Sequence, residues 1–236
     1  MRTAAIIWDY DGTLIDSARK NMAVAVEVLR HFDSGIDGHL PEALKSYEAY
    51  QRANYKYKNW RELYVEEYGV RPDQLDEAGA LWMPEQMKNK TVPELFPGIA
   101  QLVRSLDGIK MGICSQNGGK NIRSTLSLYD IDGCFDAIVG HDDIPWDRQK
   151  PDPCGFIECV KQLAPPSGAY VYIGDHSEDV TFGRAAQEAL GVPVICVAVD
   201  HLGLPGGGAG DWKTPPDFYA RGTAELSEIL HKLADS

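Results

Sequence analysis

Ile6-Ile7-Trp8-Asp9-Tyr10-Asp11-Gly12-Thr13 runs an apolar strand into two carboxylates, then into a glycine turn. Side chains alternate along a strand, so Asp9 and Asp11 point the same way while the backbone stays extended. Both sit at the strand's C-terminal end. In an open α/β sheet that edge is where ligands bind. Two carboxylates this close repel each other, and burying them uncompensated is expensive. The arrangement therefore calls for a cation or a hydrogen-bond network to absorb the charge.

Much later the pattern returns. Tyr170-Val171-Tyr172-Ile173-Gly174-Asp175-His176-Ser177-Glu178-Asp179 is again an apolar strand, a glycine and then carboxylates. With a helix after Gly174, Asp175 and Asp179 stand four apart and share a face. Two such groups, each behind an apolar strand, resemble one hard-cation site built from oxygen ligands, which suits Mg²⁺. Between them, Ile109-Lys110-Met111-Gly112-Ile113-Cys114-Ser115-Gln116-Asn117-Gly118-Gly119 is a strand ending in a hydroxyl and then glycines. Ile122, Leu126 and Tyr129 continue it at helical spacing. A hydroxyl with free backbone N–H groups at a helix N-terminus is an anion site, and the same residues also make an ordinary turn and cap. In Lys150-Pro151-Asp152-Pro153 two prolines rigidify the segment and fix where Lys150 points; a solvated lysine in a turn is the other reading.

Taken in order, Asp-x-Asp-Gly-Thr at Asp9, then Ser115, Lys150 and Gly-Asp-x-x-x-Asp at Gly174 resemble the four motifs of the haloacid dehalogenase superfamily of phosphohydrolases. The run Asp9–Ser17 and the later Phe96-Pro97-Gly98-Ile99 resemble its phosphoglycolate phosphatase and β-phosphoglucomutase branch. The likeness covers about residues 4–17 and 96–200, and residues 18–95 match only in length and helical character. It implies an α/β fold: a Rossmann-like parallel sheet with helices on both faces and an inserted all-helical cap. The catalytic core falls at 1–16 and 92–236, the cap at 17–91, over the Asp9 end of the sheet.

The resemblance also implies the chemistry. Asp9 attacks phosphorus to give an aspartyl-phosphate; Asp11 protonates the leaving oxygen and later deprotonates the water. Mg²⁺ is held by the Asp9 carboxylate, the Asp11 backbone carbonyl and Asp175, with Asp179 direct or through water. Ser115, the Gln116 amide and Lys150 hold the non-bridging phosphate oxygens. The dehalogenase branch lacks a second aspartate, so Asp11 favours phosphate esters over halides. Phosphonate cleavage through a Schiff base on a cap lysine, with Lys56 and Lys58 available, requires a different residue at Asp11. A phosphomutase shares the same motifs and stays open as an alternative. A retired enzyme kept as a phosphate-ligand binding module would be expected to have lost at least one of them.

Composition bounds the rest. At 236 residues the chain accommodates one sizeable domain and a small one. A net charge of −12 argues against nucleic acid or an anionic membrane as partner. It does not exclude an anionic substrate, because Mg²⁺, Lys150 and helix N-termini reverse the field locally. The expected partner is a small phosphorylated metabolite, the expected state a monomer or homodimer. No apolar run approaches the ~20 residues of a membrane span, and Met1-Arg2-Thr3 leads into a strand rather than a signal peptide. The five cysteines are scattered and odd in number, reading as reduced thiols of a cytoplasmic protein, and Cys154 and Cys159 lack partners for zinc.

Apolar strands are predicted at about 4–8, 109–114, 136–140, 169–173 and 193–199. Helices are predicted from Ile99, Leu102, Val103 and Leu106, and near 154–163, 178–190 and 223–234. Residues 17–91 show helical periodicity only: Met22, Val26, Leu29 and Phe32 mark one amphipathic helix, and a second long one is predicted near 42–68. The segment from Arg52 through Lys56 to Arg61 is its densest basic-aromatic cluster. It either grips a second anionic group of the substrate or is the solvated face of a helix. The glycine-rich stretch 203–210 reads as a loop on the catalytic edge. His176 reads either as a helix cap or as a residue supporting the site's ligands from behind; the remaining histidines, His201 among them, carry no signal.

Overall fold

Residues 2–203 and 212–235 are described by a computed structural model of the chain. Strand β1 (Thr3–Trp8) and a short β2 (Ile15–Asp16) lead into four helices: α1 (Ala18–Phe32), α2 (Tyr47–Lys56), α3 (Trp60–Glu66) and α4 (Leu75–Lys88). After β3 (Glu94–Leu95) helix and strand alternate: α5 (Ile99–Ser105), β4 (Lys110–Cys114), α6 (Gly119–Ser127), β5 (Ala137–Val139) and α7 (Cys154–Leu163). The series closes with β6 (Ala169–Gly174), α8 (Ser177–Leu190), β7 (Val194–Val199), β8 (Phe218–Ala220) and α9 (Thr223–Ala234).

Two compact units result. One comprises residues 2–16, Leu95–Gly203 and 212–235; the other is Ser17–Glu94. The first holds a parallel sheet in the order β5-β4-β1-β6-β7-β8. Strand β1 is buried along its whole length, and its alternate residues feed two cores. Ile6 and Trp8 pack with Ile99, Ile122 and Leu226 from α5, α6 and α9. Ala5 and Ile7 pack with Phe156 of α7 and Phe182 of α8. A strand covered on both faces must be apolar throughout, which is why it reads as an unbroken run in the sequence. Strand order reverses at β1: the chain moves outward through β4 and β5, then returns to lay β6 on the other side. The C-terminal ends of β4, β1 and β6 therefore meet, at the switch point where open α/β sheets bind ligands.

Several expectations are corrected here. The long helix near 42–68 is two helices, because Tyr57 is extended (φ −99°, ψ 151°) and the Asn59 side chain accepts from the Glu62 N–H to start α3. The expected stripe on α1 is displaced: Val24, Ala25, Val28 and Leu29 are its buried apolar residues beside Ala18, while Met22, Val26 and Phe32 are half-buried. Helix α6 stops at Ser127, so Tyr129 lies beyond it. The edge strand β8 is short and preceded by prolines, and gives no alternation to read. Within the expected glycine-rich loop, only Gly203 falls among the described residues. All five cysteines are free thiols, and no helix among the described residues is long and apolar enough to cross a membrane.

Candidate active site

Past the end of β1, the Asp9 N–H still donates to the Ile173 carbonyl of β6 at 2.8 Å, carrying the ladder one residue further. Trp8 and Tyr10 both fall into the first core, so the alternation that buries them sends Asp9 and Asp11 the other way. The chain then turns tightly, with Leu14 N–H on the Tyr10 carbonyl at 2.9 Å. Gly12 has φ +78°, and a Cβ there would overlap the Asp175 carboxylate. Conformation and space both demand glycine at this point.

Lys150 reaches Asp9 from the segment before α7. Its Nζ lies 2.6 Å from Asp9 Oδ1 and 2.9 Å from Asp179 Oδ1, with all three residues buried. The Gln149 amide anchors this segment by donating to the carbonyls of His141 and Ile144, each at 3.1 Å. Beneath the ammonium lie the rings of Tyr172 and Phe182, with centroids 5.3 and 5.2 Å away. The Tyr172 hydroxyl is 3.2 Å from Asp179 Oδ1, to which it donates.

Asp175 and Asp179 converge by a route other than the expected helical face. Helix α8 starts at Ser177 with His176 as its N-cap, so Asp175 precedes the helix. His176 Nδ1 accepts from the Glu178 N–H at 3.2 Å, and Asp179 Oδ2 accepts from the His176 N–H at 3.1 Å. This reciprocal cap turns the Asp179 carboxylate back toward the strand end. Thr13 Oγ1 donates to Asp175 Oδ1 at 3.3 Å, tying the β1 turn to the β6 turn.

One oxygen each from Asp9, Asp175 and Asp179 can be chosen so that all lie within 4.8 Å of one another. In an octahedral Mg²⁺ shell, with Mg–O near 2.1 Å, ligand oxygens stand roughly 3 to 4.2 Å apart. The three oxygens thus stand close enough together for one ion to gather them into such a shell. Two buried carboxylates, Asp9 and Asp179, face one ammonium with the half-buried Asp175 beside them, and that surplus of negative charge suits a hard divalent cation. The protonation tendencies agree. Burial raises the Asp9 pKa well above the ordinary aspartate value, opposed by Lys150 and reinforced by Asp179 and Asp175. Burial works against the Lys150 ammonium, yet Asp179 and Asp9 outweigh it and raise its pKa. Cys114, beside Ser115, is pushed up to about 12 by burial, so its thiol is no nucleophile near neutrality.

Ser115 stands at the end of β4, where its Oγ accepts from the Asn117 N–H at 3.2 Å and keeps its own proton for donation. The anion site expected at the start of α6 is narrower than the glycines suggest. The Gly119 N–H is already taken by Asp142 Oδ1 at 2.8 Å. The Gln116 side-chain amide holds the Lys150 carbonyl at 3.4 Å. Arg52, Lys56 and Arg61 lie on α2 and α3 of the helical unit. Lys56 bonds the Tyr57 hydroxyl at 2.8 Å and approaches Glu67 at 3.6 Å, Arg61 stacks on Trp60 at 4.7 Å, and Arg52 is exposed.

Two residues that gave no signal in the sequence now carry contacts. His201 Nε2 lies 2.9 Å from the Thr13 carbonyl, to which it donates, and its ring stacks on Phe96 at 4.0 Å. Asn117 reaches Asp11, as described below. Neither follows from local pattern, since the partner in each case is about a hundred residues away or more.

The pattern of the haloacid dehalogenase-like hydrolase family matches residues 6–197, which span every motif above. The chain belongs to the haloacid dehalogenase-like hydrolases. Phosphoglycolate phosphatase 1 of Pseudomonas aeruginosa is 24% identical over 185 residues, covering 77% of this chain and 65% of that protein. A phosphoglycolate phosphatase of Aquifex aeolicus is 28% identical over 184 residues, 77% of this chain and 80% of its own length. Among solved structures, a hydrolase from Pseudomonas syringae superposes with a TM-score of 0.68 at 21% identity, over 98% of this chain and 99% of that one. At that identity the superposition speaks for the haloacid dehalogenase-like fold and not for a substrate.

Proposed function

We propose that the chain is a phosphatase that hydrolyses a small phosphorylated metabolite, of phosphoglycolate or sugar-phosphate type, through an aspartyl-phosphate on Asp9. The observation that carries this reading is Asp9 held by Lys150 at 2.6 Å, with a second carboxyl, Asp11, in the same turn. A nucleophile must stay ionised, and Lys150 opposes the burial that would protonate it. Asp11 is free of the lysine and serves as acid toward the leaving oxygen, then as base toward water. Ser115 donates its hydroxyl proton to a non-bridging phosphate oxygen, beside the Gln116 amide and Lys150.

Mg²⁺ would be held by the carboxylates of Asp9, Asp175 and Asp179 together with the Asp11 backbone carbonyl. When bound, the ion would supply positive charge that offsets the negative charge of the carboxylates and the phosphoryl group. The phosphoglycolate phosphatases among the relatives support the phosphate-ester class. Residues 1–16 and 92–236 would form the catalytic core and residues 17–91 a cap that selects substrates. Arg52 is the best candidate there for a second anionic group, since Lys56 is engaged by Tyr57 and Glu67.

A panel of phosphorylated metabolites assayed for phosphate release, with Mg²⁺ and with chelator, tests the reading. Chelator-sensitive release from at least one ester is expected, and no release from any overturns it. A parallel β-glucose 1-phosphate isomerisation assay decides the mutase alternative: turnover there without free phosphate would replace hydrolysis. With the best substrate in hand, Arg52→Ala should lower kcat/KM by about 2–3 kcal/mol if it breaks a desolvated charge pair. It should leave para-nitrophenyl phosphate unchanged.

A further inference from the structure

The acid–base role given to Asp11 needs its carboxyl aimed, and one of its two oxygens is committed to the protein. Asp11 Oδ2 accepts from Asn117 Nδ2 at 2.9 Å, and Asn117 Oδ1 accepts from Asn121 Nδ2 at 2.9 Å. Asn117 and Asn121 are 5% and 7% exposed. Asn117 lies in the short connection between β4 and α6, and Asn121 lies in the first turn of α6, so the far end of the relay rests on a helix. The other oxygen, Asp11 Oδ1, is buried and makes no hydrogen bond among the described residues.

The relay has a direction. A carboxamide offers donors on one side and an acceptor on the other. With Asn117 reversed, its carbonyl would face the Asp11 carboxylate and its NH₂ would face the Asn121 NH₂, losing both bonds. Each buried partner left unsatisfied is costly, so the lower-energy arrangement is the one in which Asn117 donates to Asp11.

We propose that Asn117, locked by Asn121, is a positioning residue: it claims Asp11 Oδ2 and leaves Oδ1 as the oxygen that transfers protons. This rests on the phosphatase reading above. In the first half-reaction a carboxylate oxygen of Asp9 bonds to phosphorus while the ester P–O bond breaks. That electron pair stays on the leaving oxygen, which takes the proton from Asp11 Oδ1. In the second, Asp11 Oδ1 removes a proton from water as the water oxygen bonds to phosphorus and the Asp9 O–P bond breaks. Asp11 ends protonated, as it began. Asn117 touches neither substrate nor phosphorus in this scheme and acts only through Asp11.

The test is the leaving-group dependence of the full-length chain with Mg²⁺. Values of kcat/KM are measured on aryl phosphates of graded leaving-group pKa and on an alkyl phosphate, for wild type, Asp11→Asn, Asn117→Ala and Asn121→Ala. Asn117→Ala keeps the backbone N–H that donates to Ser115. It should lose about 10- to 100-fold in kcat on the alkyl ester, a fraction of what general acid catalysis supplies. KM should hold, and para-nitrophenyl phosphate should change less than about 3-fold, because its leaving oxygen needs little protonation. Asn121→Ala should give the same pattern, more weakly, and serves alone if Asn117→Ala does not fold. Adding Asn117→Ala to Asp11→Asn should cost nothing further on the alkyl ester. Leaving-group dependence in Asp11→Asn but equal losses on all esters in the asparagine variants would overturn the positioning role alone. Equal losses in Asp11→Asn itself would overturn Asp11 as the acid, and this proposal with it.

Discussion

Asp9 is the residue on which the site turns, because it meets both the buried ammonium and the two acidic residues after β6. Asp9→Asn should leave the fold intact, as judged by circular dichroism and denaturant midpoint. It should remove at least ~10³ of turnover, about 4 kcal/mol of barrier, because an amide does not attack phosphorus. Near-normal phosphate release by the folded variant would sink the aspartyl-phosphate mechanism. Gly12 makes a different point at the same scale. Its side chain is absent because the Asp175 carboxylate occupies the space, and its φ of +78° disfavours any other residue. Gly12→Ala should cost about 1–3 kcal/mol of stability from the strained backbone. It should also displace Asp175 and weaken Mg²⁺ binding, read by calorimetric titration; unchanged affinity would mean that the turn does not set the Asp175 position.

Among the elements, β1 earns its burial on both faces, and α8 shows how a cap and a site share one residue. Asp179 closes the reciprocal cap with His176 through Oδ2 while Oδ1 faces Lys150. In the helical unit the break between α2 and α3 is set by Asn59, whose side chain accepts from the Glu62 N–H at 3.0 Å. Asn59→Ala should destabilise by about 1 kcal/mol, the usual worth of an N-cap. Hydrogen exchange should quicken at the start of α3, and the amides of β1 and β6 should be unmoved. Faster exchange in β1 would mean that the cap supports more than its own helix.

For the whole molecule the dominant fact is charge: −12 overall, with three carboxylates gathered together and a single lysine paired to two of them. A cation that binds this folded cluster and not the unfolded chain must raise stability, by about 2.7 kcal/mol at a hundredfold excess over Kd. Mg²⁺ should therefore raise the melting temperature of the apoprotein. Asp175→Asn combined with Asp179→Asn should abolish that shift. Ca²⁺ should also raise the melting temperature while supporting little phosphate release, since its larger and looser shell misplaces the Asp9 carboxylate. An identical shift in the double variant would place the ion elsewhere.

The alternation of apolar strands with amphipathic helices was legible because it is a local property: a strand buried on both faces cannot hide an apolar run, and helical spacing repeats within a few residues. The acidic residues behind β1 and β6 were legible for the same reason, each standing at the end of such a run with a glycine beside it. Their meeting is expected from the repeated motif and the family resemblance, but no local periodicity dictates it. It follows from the sheet order, which returns the chain to pair β6 with β1 after two strands on the other side. Lys150 and Asp9 stand 141 positions apart, Asn117 and Asp11 stand 106, and His201 and Thr13 stand 188. Periodicity carries no information over such separations. The helix break at Asn59 was missed because an N-cap and an extended residue look like ordinary polar surface until the backbone is traced. Local sequence thus determined what each segment is and which strand ends bear charge. Tertiary structure alone decided which charges face one another, because strand order is settled by packing over the whole core and not by any stretch of chain.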